Sequence, residues 1–144
     1  IFFMKAVENK LGRIFTLTFE RGDDFYKEIT RYVKEKNIRS ASVFLLGSVT
    51  ELDMVTGYRT MERHDIDRRH FDDWRELVAL GTISWPAQPP ATPANFGVTW
   101  DEPQPYIHLH MALSGGPAQN GEVLVGHLSD CLAMGMTVQI YELV

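Results

Sequence analysis

The chain has 144 residues and 16.4 kDa, with 14 Lys and Arg against 19 Asp and Glu, giving a net charge of −5 with its 5 histidines neutral. An apolar fraction of 44% beside 23% charged residues excludes a wholly disordered chain and supports one compact domain, residues 1–144, with its own core. A single cysteine, Cys131, excludes an internal disulfide and a multi-cysteine zinc ribbon, and no apolar run approaches the ~20 residues that cross a bilayer.

The expectation is a soluble cytoplasmic protein without a signal peptide or membrane contact, residues 1–11 forming an N-terminal extension. From Arg13 to Glu20, Phe15, Leu17 and Phe19 alternate with Ile14, Thr16 and Thr18, the period-2 pattern of a half-buried strand. After Arg21-Gly22, Asp23 or Asp24 is placed to cap a helix running to about Lys36, whose Phe25, Ile29 and Val33 recur every four residues. Asn37 suits the left-handed position that ends it. Ser40 to Ser48 is a nearly continuous apolar run, as in a central strand, with Gly47 marking a bulge or turn. Leu52, Met54, Thr56 and Tyr58 then alternate with Glu51, Asp53 and Val55, predicting a second strand that forms a hairpin with the first.

Arg59 to Asp73, with Arg63, His64, Arg68, Arg69 and His70 among acids, reads as an exposed charged segment ahead of a strand at Arg75–Ser84. The stretch from Trp85 to Pro105 holds six of the seven prolines and reads as a long irregular loop, a length usually reserved for function or partner contact. Three strands follow: Tyr106–Leu113, Glu122–Leu128 and Met136–Val144, the first two joined by turn chemistry at Ser114-Gly115-Gly116-Pro117 and Gly121. One helix with about seven strands describes an α+β domain with a highly twisted, mainly antiparallel sheet.

Chemistry concentrates in three histidines. Period 2 sends His108 and His110 to one face of their strand and Ile107, Leu109, Met111 and Leu113 to the other. A short connection to the next strand sets His127 opposite His110 on the same face. Three imidazoles define three corners of a tetrahedron, and a fourth corner left open is the arrangement of a catalytic zinc. Nickel, copper and iron also accept such ligands, and half-buried histidines bonded to backbone or carboxylate give the same strand pattern without any ion. Glu51, Asp53, Asp101 and Asp130 are candidate proton shuttles for a metal-assisted reaction, and Arg13 and Ser84 candidate anion contacts, each with a plain surface reading beside it. Cys131 reads as a buried small apolar residue rather than a nucleophile.

The motifs Arg21-Gly22-Asp23, Ile38-Arg39-Ser40-Ala41-Ser42-Val43, Leu46-Gly47-Ser48-Val49, Gly81-Thr82-Ile83-Ser84, His108-x-His110 and Gly126-His127-Leu128 occur in an order that resembles the PPC domain (plants and prokaryotes conserved). The resemblance runs from about Gly12 to the C-terminus. It implies a trimeric α+β fold shared with acetolactate decarboxylase and a zinc site whose ligands are His108, His110 and His127. It also implies self-association and protein contacts, and prokaryotic members carry a predicted DNA-binding label. The chain departs from the family at Asp72-Asp73, where plant members have Gly-Arg, at Val125, which replaces a glycine, and at Asp130-Cys131, where Gly-Cys is common. No Arg-Gly-Arg-Pro core of an AT-hook is present, and the net charge of −5 argues against direct DNA binding. Two functions from different classes follow: a metal-binding, self-associating regulatory module that reaches DNA through a partner, and a small zinc-dependent lyase or hydrolase acting on an oxygenated small molecule.

Overall fold

The computed structural model describes residues 4–60, 65–90, 98–117 and 121–144. Its elements are β1 (Leu11–Phe19), α1 (Phe25–Lys36), β2 (Ala41–Thr60), β3 (Asp65–Phe71), β4 (Arg75–Ser84), β5 (Tyr106–Ser114) and β6 (Val123–Leu143). All pairings between them are antiparallel: β2 pairs with β4, β4 with β5, β5 with β6, and β6 returns to β2, so that four strands close on themselves. β1 extends the sheet along the end of β6, and β3 lies along the second half of β2. Inside this ring, Val43, Leu45, Leu77, Ile107, Leu109, Leu113, Val138 and Ile140 are buried.

The one helix among the described residues forms as its sequence predicts. The Asp24 side chain accepts from the Lys27 N–H at 3.2 Å, and Asn37 takes the left-handed conformation (φ 52°) that lets its own N–H reach the last carbonyls. Phe25, Ile29 and Val33 bury the apolar stripe in the core.

The strands are fewer and longer than the turn signals suggest. The two strands expected from Ser40 to Tyr58 are one 20-residue strand, β2, and the expected hairpin does not form. β2 must serve different partners along its length, β4 through Ala41–Val49 and β3 through Leu52–Thr60, so it bends where a hairpin would reverse. The bend is taken by Glu51 at φ 47°, beside shifts in the register to β6. Gly47 is a place of close approach instead of a turn: a Cβ there would lie 2.5 Å from the Gly135 carbonyl oxygen of β6. The strands expected at Glu122–Leu128 and Met136–Val144 likewise join as the 21-residue β6, whose middle is buried against β2.

The charged segment before β4 contains a strand, β3. Arg68, Arg69 and His70 are exposed as expected, Ile66, Asp67 and Phe71 are half-buried, and among the described residues the backbone of β3 pairs only with β2. Charge on such a strand suits an edge, because it discourages further strand pairing. His70 sits between two acids, with Nδ1 2.8 Å from Asp53 Oδ1 and Nε2 2.8 Å from Glu51 Oε2, and these carboxylates raise its pKa. Arg63 and His64 lie outside the described residues. The proline-rich segment has no helix or strand among its described residues, and its middle, 91–97, lies outside them. Both flanks are anchored: Trp85 Nε1 donates to the Ile38 carbonyl at 2.7 Å, and Trp100 Nε1 to that of Pro86 at 3.0 Å. At the N-terminus the ladder reaches back to Lys10, which exchanges two backbone hydrogen bonds with Val144. Among the described residues no helix is long and apolar enough to cross a membrane.

Candidate metal centre

Alternation along β5 buries Ile107, Leu109, Met111 and Leu113 inside the ring and turns Tyr106, His108 and His110 to its other face. His127 is brought to the same place by β6, where it pairs with His110 on one side and Val55 of β2 on the other. It therefore sits where β6 passes from one partner strand to the next. The three side chains each offer a ring nitrogen, and these atoms lie within 4.8 Å of one another. His108 Nε2 and His110 Nε2 are 3.2 Å apart. A tetrahedral ion with bonds of about 2.05 Å to nitrogen has ligand atoms about 3.3 Å apart, so this pair already spans one edge of such a site. Ligation requires the neutral imidazole, and burial, with the neighbouring His110, lowers the pKa of His108.

β4 makes the approach possible. A Cβ on Gly81 would stand 1.7 Å from the His108 carbonyl oxygen, so only glycine lets β5 run this close beside β4. The His108 ring is stacked on Tyr106 (centroids 5.0 Å, interplanar angle 12°), and Trp100 packs edge-on to the far end of that stack. In front of the cluster opens a cleft of about 600 Å³ lined also by Val55, Thr56 and Gly57 of β2, Pro90, Val125 and Gly126.

The other residues singled out in the sequence lie elsewhere. Arg13 is held at the β1–β6 end by Glu142, with its Nη2 2.7 Å from Oε2 and also donating to the Lys36 carbonyl at 3.0 Å. Ser84 is exposed at the end of β4, in register with Tyr106. Glu51 and Asp53 hold His70 on the β2–β3 edge, and Asp101 is exposed in the proline-rich segment. Asp130 lies at the start of α1, where its Oδ1 accepts from the N–H groups of Tyr26 and Cys131 at 3.1 and 2.8 Å. Burial, followed by a hydrogen bond with Asp24, pushes its carboxyl up to about 7. Cys131 is buried, and burial pushes its thiol well above the ordinary range. Among the described residues lining the cleft there is no carboxylate.

Sequence reasoning missed two parts of the site. Tyr106 shares the parity of His108 and His110 and was accessible to the same period-2 argument. Val55, Thr56 and Gly57 reach the cleft only because β2 pairs with β6, a contact no local pattern announces.

Residues 6–143 match the model of the Plants and Prokaryotes Conserved (PCC) domain. The chain belongs to this family. This is the family of the PPC resemblance, and the solved structures similar to this PCC domain agree. A plant- and prokaryote-conserved protein from Pyrococcus horikoshii superposes with a TM-score of 0.75 at 20% identity, covering 98% of this chain and 85% of that one. A protein from Archaeoglobus fulgidus described as metal-containing gives 0.74 at 23% identity, covering 97% and 86%. A chain from Bacteroides thetaiotaomicron, whose DNA binding is conjectural by its own description, gives 0.67 at 20% identity, covering 93% and 82%. At these identities the likeness establishes the shared fold. No curated protein matches the chain. The PCC fold thus brings three histidines together beside an open, largely apolar cleft, an arrangement able to hold a metal ion with a face left for a ligand.

Proposed function

We propose that this PCC domain is a metal-binding, self-associating module in which His108, His110 and His127 hold one divalent ion per chain, zinc foremost. The observation that carries the reading is the convergence of three ring nitrogens within 4.8 Å. The metal-containing description of the Archaeoglobus fulgidus relative supports it. Its role is regulatory, in the cytoplasm, and it reaches DNA through a protein partner. Against direct DNA contact stands the net charge of −5.

Self-association is supported by the outer face of the sheet, where exposed Phe44 and Leu46 on β2 lie in register with exposed Leu80 and Val78 on β4. Contiguous apolar surface of this kind favours a partner. The number three, a homotrimer, follows from the family resemblance. Light scattering at micromolar concentration is expected to give about three times the chain mass, and a value of 16.4 kDa would contradict it.

The cleft favours a second reading, a small zinc-dependent lyase or hydrolase acting on an oxygenated small molecule. A bound divalent ion supplies Lewis-acid polarisation of an oxygen there. His108, His110 and His127 would hold the ion, and the stacked Tyr106 ring fixes the orientation of His108. Titration with cobalt(II) tests both readings at once: the native chain should develop the visible band of a nitrogen-ligated tetrahedral ion at one equivalent, and His110→Ala should not. A native chain that takes up no cobalt contradicts both.

A further inference from the structure

We propose that the cleft before His108, His110 and His127 receives a small organic monocarboxylate with an apolar body. This rests on those histidines holding a divalent ion. Three neutral imidazoles bring no negative charge, so the ion keeps its full double positive charge. Val55, Thr56, Gly57, Pro90, Tyr106 and Val125, which form the walls, carry no anion to offset it. The nearby acids are engaged by other partners: Asp67, bonded to the Thr56 hydroxyl at the wall, is paired with Arg69 at 3.3 Å, Glu51 and Asp53 face His70, and Asp130 accepts hydrogen bonds at the start of α1. An uncompensated cation in a recess with apolar walls attracts an anion more strongly than the same ion in water.

The walls then discriminate between anions. Phosphate is hydrated on all sides and would leave Pro90 and Val125 uncovered. A carboxylate of a few carbons turns its head toward the imidazoles and lays its hydrocarbon part along those side chains. A cleft of about 600 Å³ admits such a molecule with room to spare.

The test uses the full chain loaded with cobalt(II), whose visible band reports the metal environment without any assumption about catalysis. Acetate, butyrate and hexanoate are titrated against it, with phosphate, hexanol and hexylammonium as comparators. Affinity should rise about fourfold for each methylene buried, while the neutral and cationic analogues leave the band unchanged. Gly57→Asp supplies a second arm: Gly57 lines the cleft and an added Cβ there meets nothing within 4 Å, so the variant places a carboxylate at the cleft wall without a Cβ clash. It should load cobalt and lose butyrate binding at least tenfold, whereas Gly57→Asn keeps it. A chain that takes up no cobalt overturns the metal reading and this proposal together. A cobalt-loaded chain that ignores carboxylates, or that responds equally to phosphate and hexanoate as an adventitious ion only, overturns this proposal alone.

Discussion

Replacing Gly81 with alanine puts the largest load on the smallest change. The new Cβ would stand 1.7 Å from the His108 carbonyl oxygen and 2.9 Å from Leu109 Cα, where real Cβ atoms essentially never come within 3.0 Å. β4 and β5 must therefore part locally by at least about 1.3 Å. Added to an ordinary N–H···O length of about 2.9 Å, that exceeds the range of a hydrogen bond. The ladder bonds flanking the site, around Leu80–His110 and Thr82–His108, are the ones lost. Two backbone bonds at about 1 kcal/mol each, with an overpacking cost of about 2 kcal/mol, give a destabilisation of about 4 kcal/mol. That is a large share of the stability of about 5–15 kcal/mol typical of a domain, and corresponds to a fall in Tm of about 10 °C. The displaced group is the peptide of a proposed ligand, so metal affinity should fall as well, by at least about tenfold. Urea unfolding and a zinc titration read the two effects separately. A variant within about 0.5 kcal/mol of the native chain, with unchanged metal affinity, would refute the close-approach argument.

Two acids should imprint opposite pH dependences on stability. Arg13 holds the Glu142 carboxyl down at about 2, so its contribution is complete above the ordinary glutamate value near 4.5 and is lost as pH falls toward 2; Glu142→Gln should remove that acid-side loss in urea midpoints measured from pH 2 to 5. Asp130, pushed up to about 7, keeps a proton in the folded state that the unfolded chain has released, so stability falls as pH rises from about 4 to 7. Asp130→Asn, whose Oδ1 can still accept from Tyr26 and Cys131, should match the native chain at pH 4 and exceed it at pH 8; the reverse order would contradict the assignment. Duplex DNA titrated at about 150 mM salt should bind more weakly than micromolar, and submicromolar binding that falls steeply with salt would show a phosphate-contacting surface gathered from Arg68 and Arg69.

Local signals in the sequence were reliable where one element meets one partner. The helix, with its cap at Asp24 and its end at Asn37, needed only capping chemistry and four-residue spacing. The shared face of His108 and His110, and the pairing of His110 with His127, followed from period 2 and a short turn. The errors have a common physical source. β2 and β6 each change partners along their length, and a strand that bends to do so carries the same glycines and acids that mark a turn in a hairpin. Glu51 at positive φ is the extreme case, since nothing in its type announces a kink. The same long-range pairing carries Val55, Thr56 and Gly57 to the cleft, which is why the histidines could be found from sequence and this part of their surroundings could not.

Element-resolved metal analysis of protein purified without an affinity tag tests the central claim most directly. The account predicts close to one divalent metal ion per chain, with zinc foremost, and loss of that metal when His108, His110 or His127 is replaced by alanine in a chain that still folds. Native protein that stays metal-free after incubation with zinc and dialysis, or metal that persists when all three histidines are replaced, would contradict it.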